Sequence, residues 1–394
     1  MRNCINYEYI FGSRPILLTD TFESRLRAAN GRPSGFDYLR VVLASAVLGW
    51  HVIMTGYGDE FQNQLLRSGY CAPVALVLPM FFALSGFLVA GSLDRSNTLI
   101  TFLGLRAFRI VPALAVEVFL SALILGPLLT TLSLREYFTH PTFLAYFLNV
   151  VGEIHYFLPG VFENNPNHFV NGQLWTVPFE LLCYVLLSAL AVFGLYARPK
   201  LLLIVLLLFY IAQVFNTLLR PHSVGIASGP SLVMMFLAGV AAHKLRTRIV
   251  SNWYLFAASL VASLVLLSVP NGDRFAAMPV AYVTVYLGLF NPPRNKVILS
   301  GDYSYGLFLY GYPIQQSVVA IFGVIAWYYN ILIAIPCAIV VAVASWWLVE
   351  KPILNYRGVL KDIEKWAIAR FARFSRRSVA ALAAESARKV ADGA

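Results

Sequence analysis

Ten apolar runs follow one another through this sequence, near residues 36–57, 70–92, 107–132, 174–195, 200–219, 229–243, 253–269, 276–290, 303–324 and 328–349, and they leave it one kind of fold. A helix crossing the hydrocarbon core of a bilayer needs roughly 20 mostly apolar residues. Inside lipid the backbone polar groups must be satisfied within the segment itself, which a helix does. The sixth and eighth runs are the shortest, at 15 residues each. Composition agrees. Only 12% of the 394 residues are charged, about half the share a soluble domain carries, so polar groups cannot cover the surface and a soluble enzyme is excluded. The 28 Phe, 21 Tyr and 7 Trp exclude a disordered chain. The expected fold class is all-α: a polytopic integral membrane protein with about ten transmembrane helices.

The net charge of +11 does not point to nucleic acid, because the basic residues stand in short clusters between the apolar runs. Such clusters orient a membrane protein. With ten spans and the N-terminus inside, all but four of the 30 Lys and Arg residues fall on the cytoplasmic side; the exceptions are Arg67, Arg135, Arg220 and Arg274. Residues 137–151 are also apolar, yet a crossing there would carry every later cluster outward. They are therefore expected to be re-entrant or interfacial on the outer side, followed by an outward-facing polar loop at 152–173. Residues 1–35 lack a signal-peptide core, since Ile16, Leu17 and Leu18 make too short a run before Arg25 and Arg27. They read as a cytoplasmic tail. Residues 36–352 form the membrane domain, and 353–394 read as a basic amphipathic cytoplasmic tail lying on membrane lipid. Cys4, Cys71, Cys183 and Cys337 are far apart and show no metal or disulfide spacing, so no metal is expected.

A charge at the bilayer centre costs about 2.5–3.5 kcal/mol on insertion scales, so each ionisable residue within a run is a candidate for function. Asp37, Arg40 and His51 lie in the first run, Glu117 in the third and Glu180 in the fourth, and Glu350 closes the tenth. Eleven residues at about 100° each make close to three turns, so Arg40 and His51 share a helix face roughly 16 Å apart along the axis. Glu180 and His51 each stand about 9 Å below the outer ends of their runs. A pair at that depth either makes His51 a general base, oriented and made more basic by Glu180, or ties two helices together structurally. Arg106 and Arg109, spaced i, i+3 at the mouth of the third run, either anchor the inner side or join Arg40 as a cationic site for a phosphate-bearing ligand. Glu117 is expected as their counter-ion. Ser85 and Thr176 read as packing residues.

These residues also sit in recognisable motifs. Phe36-Asp37-Tyr38-Leu39-Arg40, with His51 after ten further residues, resembles the first-helix Arg-x10-His signature of the membrane-bound acyltransferase-3 family, the bacterial sugar O-acyltransferases. Phe81 to Leu88 is similar to that family's FFxLSGFL stretch, Arg106 to Pro112 to its RxxRIxP element, and Asn171 to Glu180 to its NGxLW motif ending in Glu. Ser304 to Leu309 resembles its SYSLYL strip, and Glu350-Lys351-Pro352 its closing ExP. The resemblance runs from about residue 36 to 352 with every motif in order, and the expected form is the stand-alone one without an appended esterase-like domain. It departs at Gly311-Tyr312-Pro313, where the family usually has His-Trp-Pro.

The resemblance implies an enzyme that moves an acyl group, acetyl by default, from cytoplasmic acyl-CoA to a hydroxyl of a cell-surface or lipid-linked glycan. It implies no bound cofactor and a multi-pass location in the bacterial inner membrane. His51 would be the catalytic base with Glu180 beside it, and Arg40, Arg106 and Arg109 would hold the donor phosphates. Asp37, Trp175 and Tyr184 would be substrate-binding residues. The competing reading is a glycolipid or sugar transporter or flippase. The ordered motifs, and the lack of an inverted pair of broken helices, weigh against it.

Overall fold

A computed structural model describes residues 20–68, 72–219, 227–296, 300–360 and 362–366. The sequence expectations for the N-terminal tail before residue 20 and for the C-terminal tail beyond 366 lie outside the described residues, as do Cys4, Cys71 and Arg220. Among the described residues the architecture is all-helical, with two isolated backbone bridges and no strand. Apart from short helical pieces of three to six residues, the helices in order are α1 (Phe22–Ala28), α2 (Gly35–Arg67), α3 (Val77–Asp94), α4 (Leu99–Leu120), α5 (Val177–Val192), α6 (Pro199–Leu219), α7 (Gly229–Lys244), α8 (Trp253–Leu267), α9 (Ala277–Gly288), α10 (Ser304–Phe322) and α11 (Trp327–Ser345). Each of the ten apolar runs thus overlaps one of α2 to α11, with the third offset, since α4 starts at Leu99 and ends at Leu120. Among the described residues five helical stretches are long and apolar enough to cross a membrane: Gly35–Arg67, Ala72–Asp94, Leu99–Leu129, Gly172–Val192 and Trp327–Trp366.

The centre is α7, of whose 16 residues 14 are buried. It crosses α3 at backbone contact. A Cβ on Gly86 would fall 2.0 Å from the Phe236 carbonyl oxygen, and one on Gly239 would fall 2.1 Å from that of Ala83. Small residues at a crossing let two apolar helices gain dispersion contacts where lipid offers no hydrophobic drive to associate. Elsewhere the outward faces stay apolar: Leu207, Leu208 and Ile211 on α6, and Leu332 and Val340 on α11, are all exposed. In water such patches would be a liability, whereas in lipid they meet a matching solvent.

The apolar segment 137–151 is broken. It spans parts of Leu134–Thr139, Pro141–Ala145 and a 3₁₀ turn at Tyr146–Val151, and Gly152 ends it with φ +86°. His140 adopts an extended conformation and caps the second piece, with Pro141 as its first residue, so no continuous helix of spanning length forms there.

Two further irregularities place carboxylates. After Leu120, α4 passes through a π-helical turn at Ser121–Leu125, just beyond Glu117. After Ser345, α11 does the same at Trp346–Glu350 and ends that turn on Glu350. Single π turns of this kind recur at functional sites.

Candidate active site

Three elements far apart in sequence converge on Asp302, in the loop before α10. Its Oδ2 accepts from Arg40 Nη1 of α2 at 3.1 Å and from Arg109 Nη2 of α4 at 2.6 Å. Its Oδ1 accepts from Ser304 Oγ at 2.6 Å. Burial alone would raise the Asp302 carboxyl, but the guanidiniums of Arg109 and Arg40 outweigh it and hold the group well below the usual carboxylate range. Arg109 Nη1 also stands 3.8 Å from Glu350 Oε2, and its guanidinium lies 5.9 Å from the centre of the Tyr305 ring. The i, i+3 spacing keeps Arg106 on the same side of α4. Among the described residues its Nη2 reaches only Ser92 Oγ, at 3.3 Å, and its Nε is buried without a hydrogen-bond partner.

The three arginines line a cavity of about 150 Å³ together with Glu180, Tyr184 and Tyr305, over an apolar floor of Phe81, Leu78 and Phe236. Ser85 and Thr176 line it too. Glu180, in the first turn of α5, accepts from the Tyr184 hydroxyl one turn on.

His51 stands in a second cavity, of about 280 Å³, with Trp50, Trp175, Gln62, Tyr156 and Phe169 around it. Among the described residues no hydrogen bond reaches its imidazole. The ring of Tyr312 meets it edge-on at 5.2 Å and 78°, and the Tyr312 hydroxyl donates to Asn167 Oδ1 at 2.9 Å. Leu78 lines both cavities.

The expected His51–Glu180 pair is corrected by this arrangement. Equal depth along two helices says nothing about the angle each side chain takes around its axis. Glu180 turns toward Tyr184 and the arginine cavity, while His51 faces the adjoining one. Glu117 is not the counter-ion of the arginines either. It accepts from Ser121 Oγ at 2.6 Å and Asn171 Nδ2 at 3.1 Å, and so anchors the start of the Asn171–Glu180 motif to the π turn of α4. Among the described residues, the carboxylates that pair with Arg40 and Arg109 are Asp302 and Glu350. Asp37 is exposed in the first turn of α2 and lines neither cavity. Trp175 belongs to the His51 cavity and Tyr184 to the arginine cavity.

Gly311 has a packing reason, since a Cβ there would fall 2.5 Å from Leu48 Cδ1. At this crossing of α10 and α2, Gln315 Nε2 also donates to the Leu48 carbonyl at 2.7 Å. The aromatic ring that α10 brings against His51 therefore comes from Tyr312, one position on.

Residues 34–351 match the family described as an acyltransferase domain. Over 333 residues the chain is 27% identical to a protein named O-acetyl transferase from Shigella phage Sf6, an overlap covering 81% of this chain and 96% of that one. Over 365 residues it is 25% identical to nodulation protein 10 of Rhizobium leguminosarum bv. viciae, covering 84% of this chain and 95% of that one. No solved structure matches it significantly.

Proposed function

The chain belongs to the acyltransferase domain family and is a membrane O-acyltransferase, and from that premise we propose that it transfers an acetyl group from acetyl-CoA to a hydroxyl of a cell-surface or lipid-linked glycan. The observation that carries this reading is the pair of adjoining cavities, one lined by three arginines and the other by His51, with Leu78 in the wall of both.

The donor's phosphates sit at the arginine cavity. Arg106 offers the freest donors there, because Arg40 and Arg109 already hold Asp302. The acyl-bearing arm runs along the apolar floor past Leu78 toward His51, parallel to the roughly 16 Å between Arg40 and His51 on α2. Glu180 and Tyr184 contact the donor rather than the imidazole.

His51 takes the proton of the acceptor hydroxyl as its oxygen attacks the thioester carbonyl carbon. The C–S bond breaks, the imidazolium returns the proton to the departing thiolate, and an ester and free CoA leave. A well-placed general base accounts for about 10²–10⁴ in rate. No other nucleophile is required, so Ser85 and Thr176 stay packing residues of the arginine cavity.

In the membrane, ten crossings with both termini in the cytoplasm place nearly all Lys and Arg residues inside, in a bacterial inner membrane. The broken segment 134–151 and the loop after it then lie on the outer side. This orientation turns the arginine cavity toward cytoplasmic donor and the His51 cavity toward a glycan arriving from outside.

The test is purified protein in lipid nanodiscs with labelled acetyl-CoA and a surface-glycan extract. Wild type is expected to form an alkali-labile glycan ester, and His51→Ala to lose at least about 10²-fold of that rate while still binding acetyl-CoA. A fully active His51→Ala enzyme would refute the mechanism.

A further inference from the structure

The His51 cavity differs from its neighbour in one respect that bears on what it accepts. Its lining contains no Asp, Glu, Lys or Arg, and His51 is its one titratable group apart from the Tyr156 hydroxyl. Four aromatic side chains, Trp50, Trp175, Tyr156 and Phe169, line it, with aliphatic residues between. Two lining residues carry buried polar atoms without a hydrogen-bond partner among the described residues. Gln62 is 7% exposed with its Oε1 unpaired, and Trp50 has its indole Nε1 unpaired. Buried polar atoms are normally satisfied, so an orphan acceptor and an orphan donor at one cavity want partners from a ligand.

We infer that this cavity is the acceptor subsite and that it takes a single uncharged sugar ring, with Gln62 Oε1 accepting from one ring hydroxyl and Trp50 Nε1 donating to another. The inference rests on the acyl-transfer reading above and goes further by naming the class of acceptor unit. A carboxylated or phosphorylated sugar would bring a charge into a lining with no counter-charge, at the desolvation cost that keeps unpaired charges out of such sites. The aromatic faces suit the C–H faces of a pyranose, and the two orphan atoms supply the few convergent polar groups that fix orientation in a mostly apolar site. At about 280 Å³ the cavity lies at the small end for ligand pockets, which favours one ring over a longer stretch of glycan. Gln62 and Trp50 are then substrate-binding residues of the acceptor side, and Arg106 and Arg109 remain on the donor side.

The test uses cells lacking the gene, complemented with wild type, Gln62→Leu or Trp50→Phe. Surface glycan is hydrolysed to monomers under conditions that keep esters, and each esterified sugar is identified by mass spectrometry. Acetyl-CoA affinity is measured separately on each purified protein. Wild type is expected to place its ester on an uncharged sugar. Each variant, having lost one hydrogen bond, is expected to lower ester content by roughly 3- to 10-fold with acetyl-CoA affinity unchanged. An ester on a uronic acid or a phosphorylated sugar would overturn the inference and leave the acyl-transfer reading intact. Variants that weaken acetyl-CoA binding would overturn it too, by making this cavity part of the donor's path. If wild-type cells carried no more glycan ester than deleted cells, the acyl-transfer reading would fall and the acceptor assignment with it. The identity of the sugar esterified by wild type decides the question even if both variants fail to fold.

Discussion

Arg106 and Arg109 look interchangeable in sequence, and replacing each by alanine should separate them. Arg109→Ala removes the 2.6 Å contact to Asp302, the 3.8 Å contact to Glu350 and the guanidinium above Tyr305. Breaking a buried ion pair from one side costs about 3–5 kcal/mol. The lower end applies here, because Arg109 and Asp302 are each 23% exposed and Asp302 keeps Arg40 at 3.1 Å. Against that, Glu350 is 1% exposed and loses its one ion-pair partner among the described residues. About 3 kcal/mol is therefore expected. An unfolding entropy of about 2.1 cal/mol/K per residue over 394 residues is roughly 0.8 kcal/mol/K, so Tm should fall by about 4 °C. Arg106→Ala forfeits one 3.3 Å bond to Ser92 and leaves no carboxylate stranded. It should cost about 1 kcal/mol and about 1 °C, while raising the KM for acetyl-CoA more than it lowers kcat. The assay is fluorescence-monitored thermal unfolding in detergent beside donor kinetics on the same preparations. Equal Tm losses in the two variants, or a stability loss confined to Arg106→Ala, would refute the division of roles.

Leu78→Trp should fill the wall common to both cavities, cutting transfer at least about 10-fold by displacing the reacting groups from attack distance with acetyl-CoA affinity retained; a titration and a transfer assay check this. Asp302 has a depressed carboxyl, so its pairing stabilises the protein fully above the ordinary Asp pKa of about 3.9 and loses that contribution as pH falls below it. Wild-type Tm should therefore drop more steeply than that of Asp302→Asn between pH 5 and roughly pH 3, and parallel curves would contradict the pairing. Glu117→Leu should release the Asn171–Glu180 motif from α4, leaving one Asn171 amide N–H without its acceptor while the Tyr146 hydroxyl still accepts from the amide, at a cost of about 1–3 kcal/mol. Glu117→Gln should recover most of the lost Tm because a side-chain oxygen still accepts from Asn171.

Much of this molecule is determined by local chemistry that a reader of the sequence can follow. Long apolar runs with few charges have to become helices in lipid, and each of the ten overlaps one. The break at His140-Pro141 follows from proline's missing donor. Arg40 and His51 share one helix, so their separation is set by its rise alone, and the family motifs around them are contiguous. The same motifs weighed against a transporter, and membership of an acyltransferase family agrees.

What only the tertiary structure decided is which of these charges meet. Depth in the bilayer can be counted along a helix, but rotation about the axis depends on packing against neighbours, and that rotation separates Glu180 from His51. Asp302 gave no signal because it lies outside every apolar run, in an ordinary polar loop. It gains meaning only when helix packing brings residues 40, 109 and 302 together. The second carboxylate near Arg109, Glu350, is set by a π turn, which adds a residue to the turn without leaving a mark in composition. Trp50 and Gln62 carry no motif or charge that the sequence could single out, and only the cavity they line shows two polar atoms without partners among the described residues.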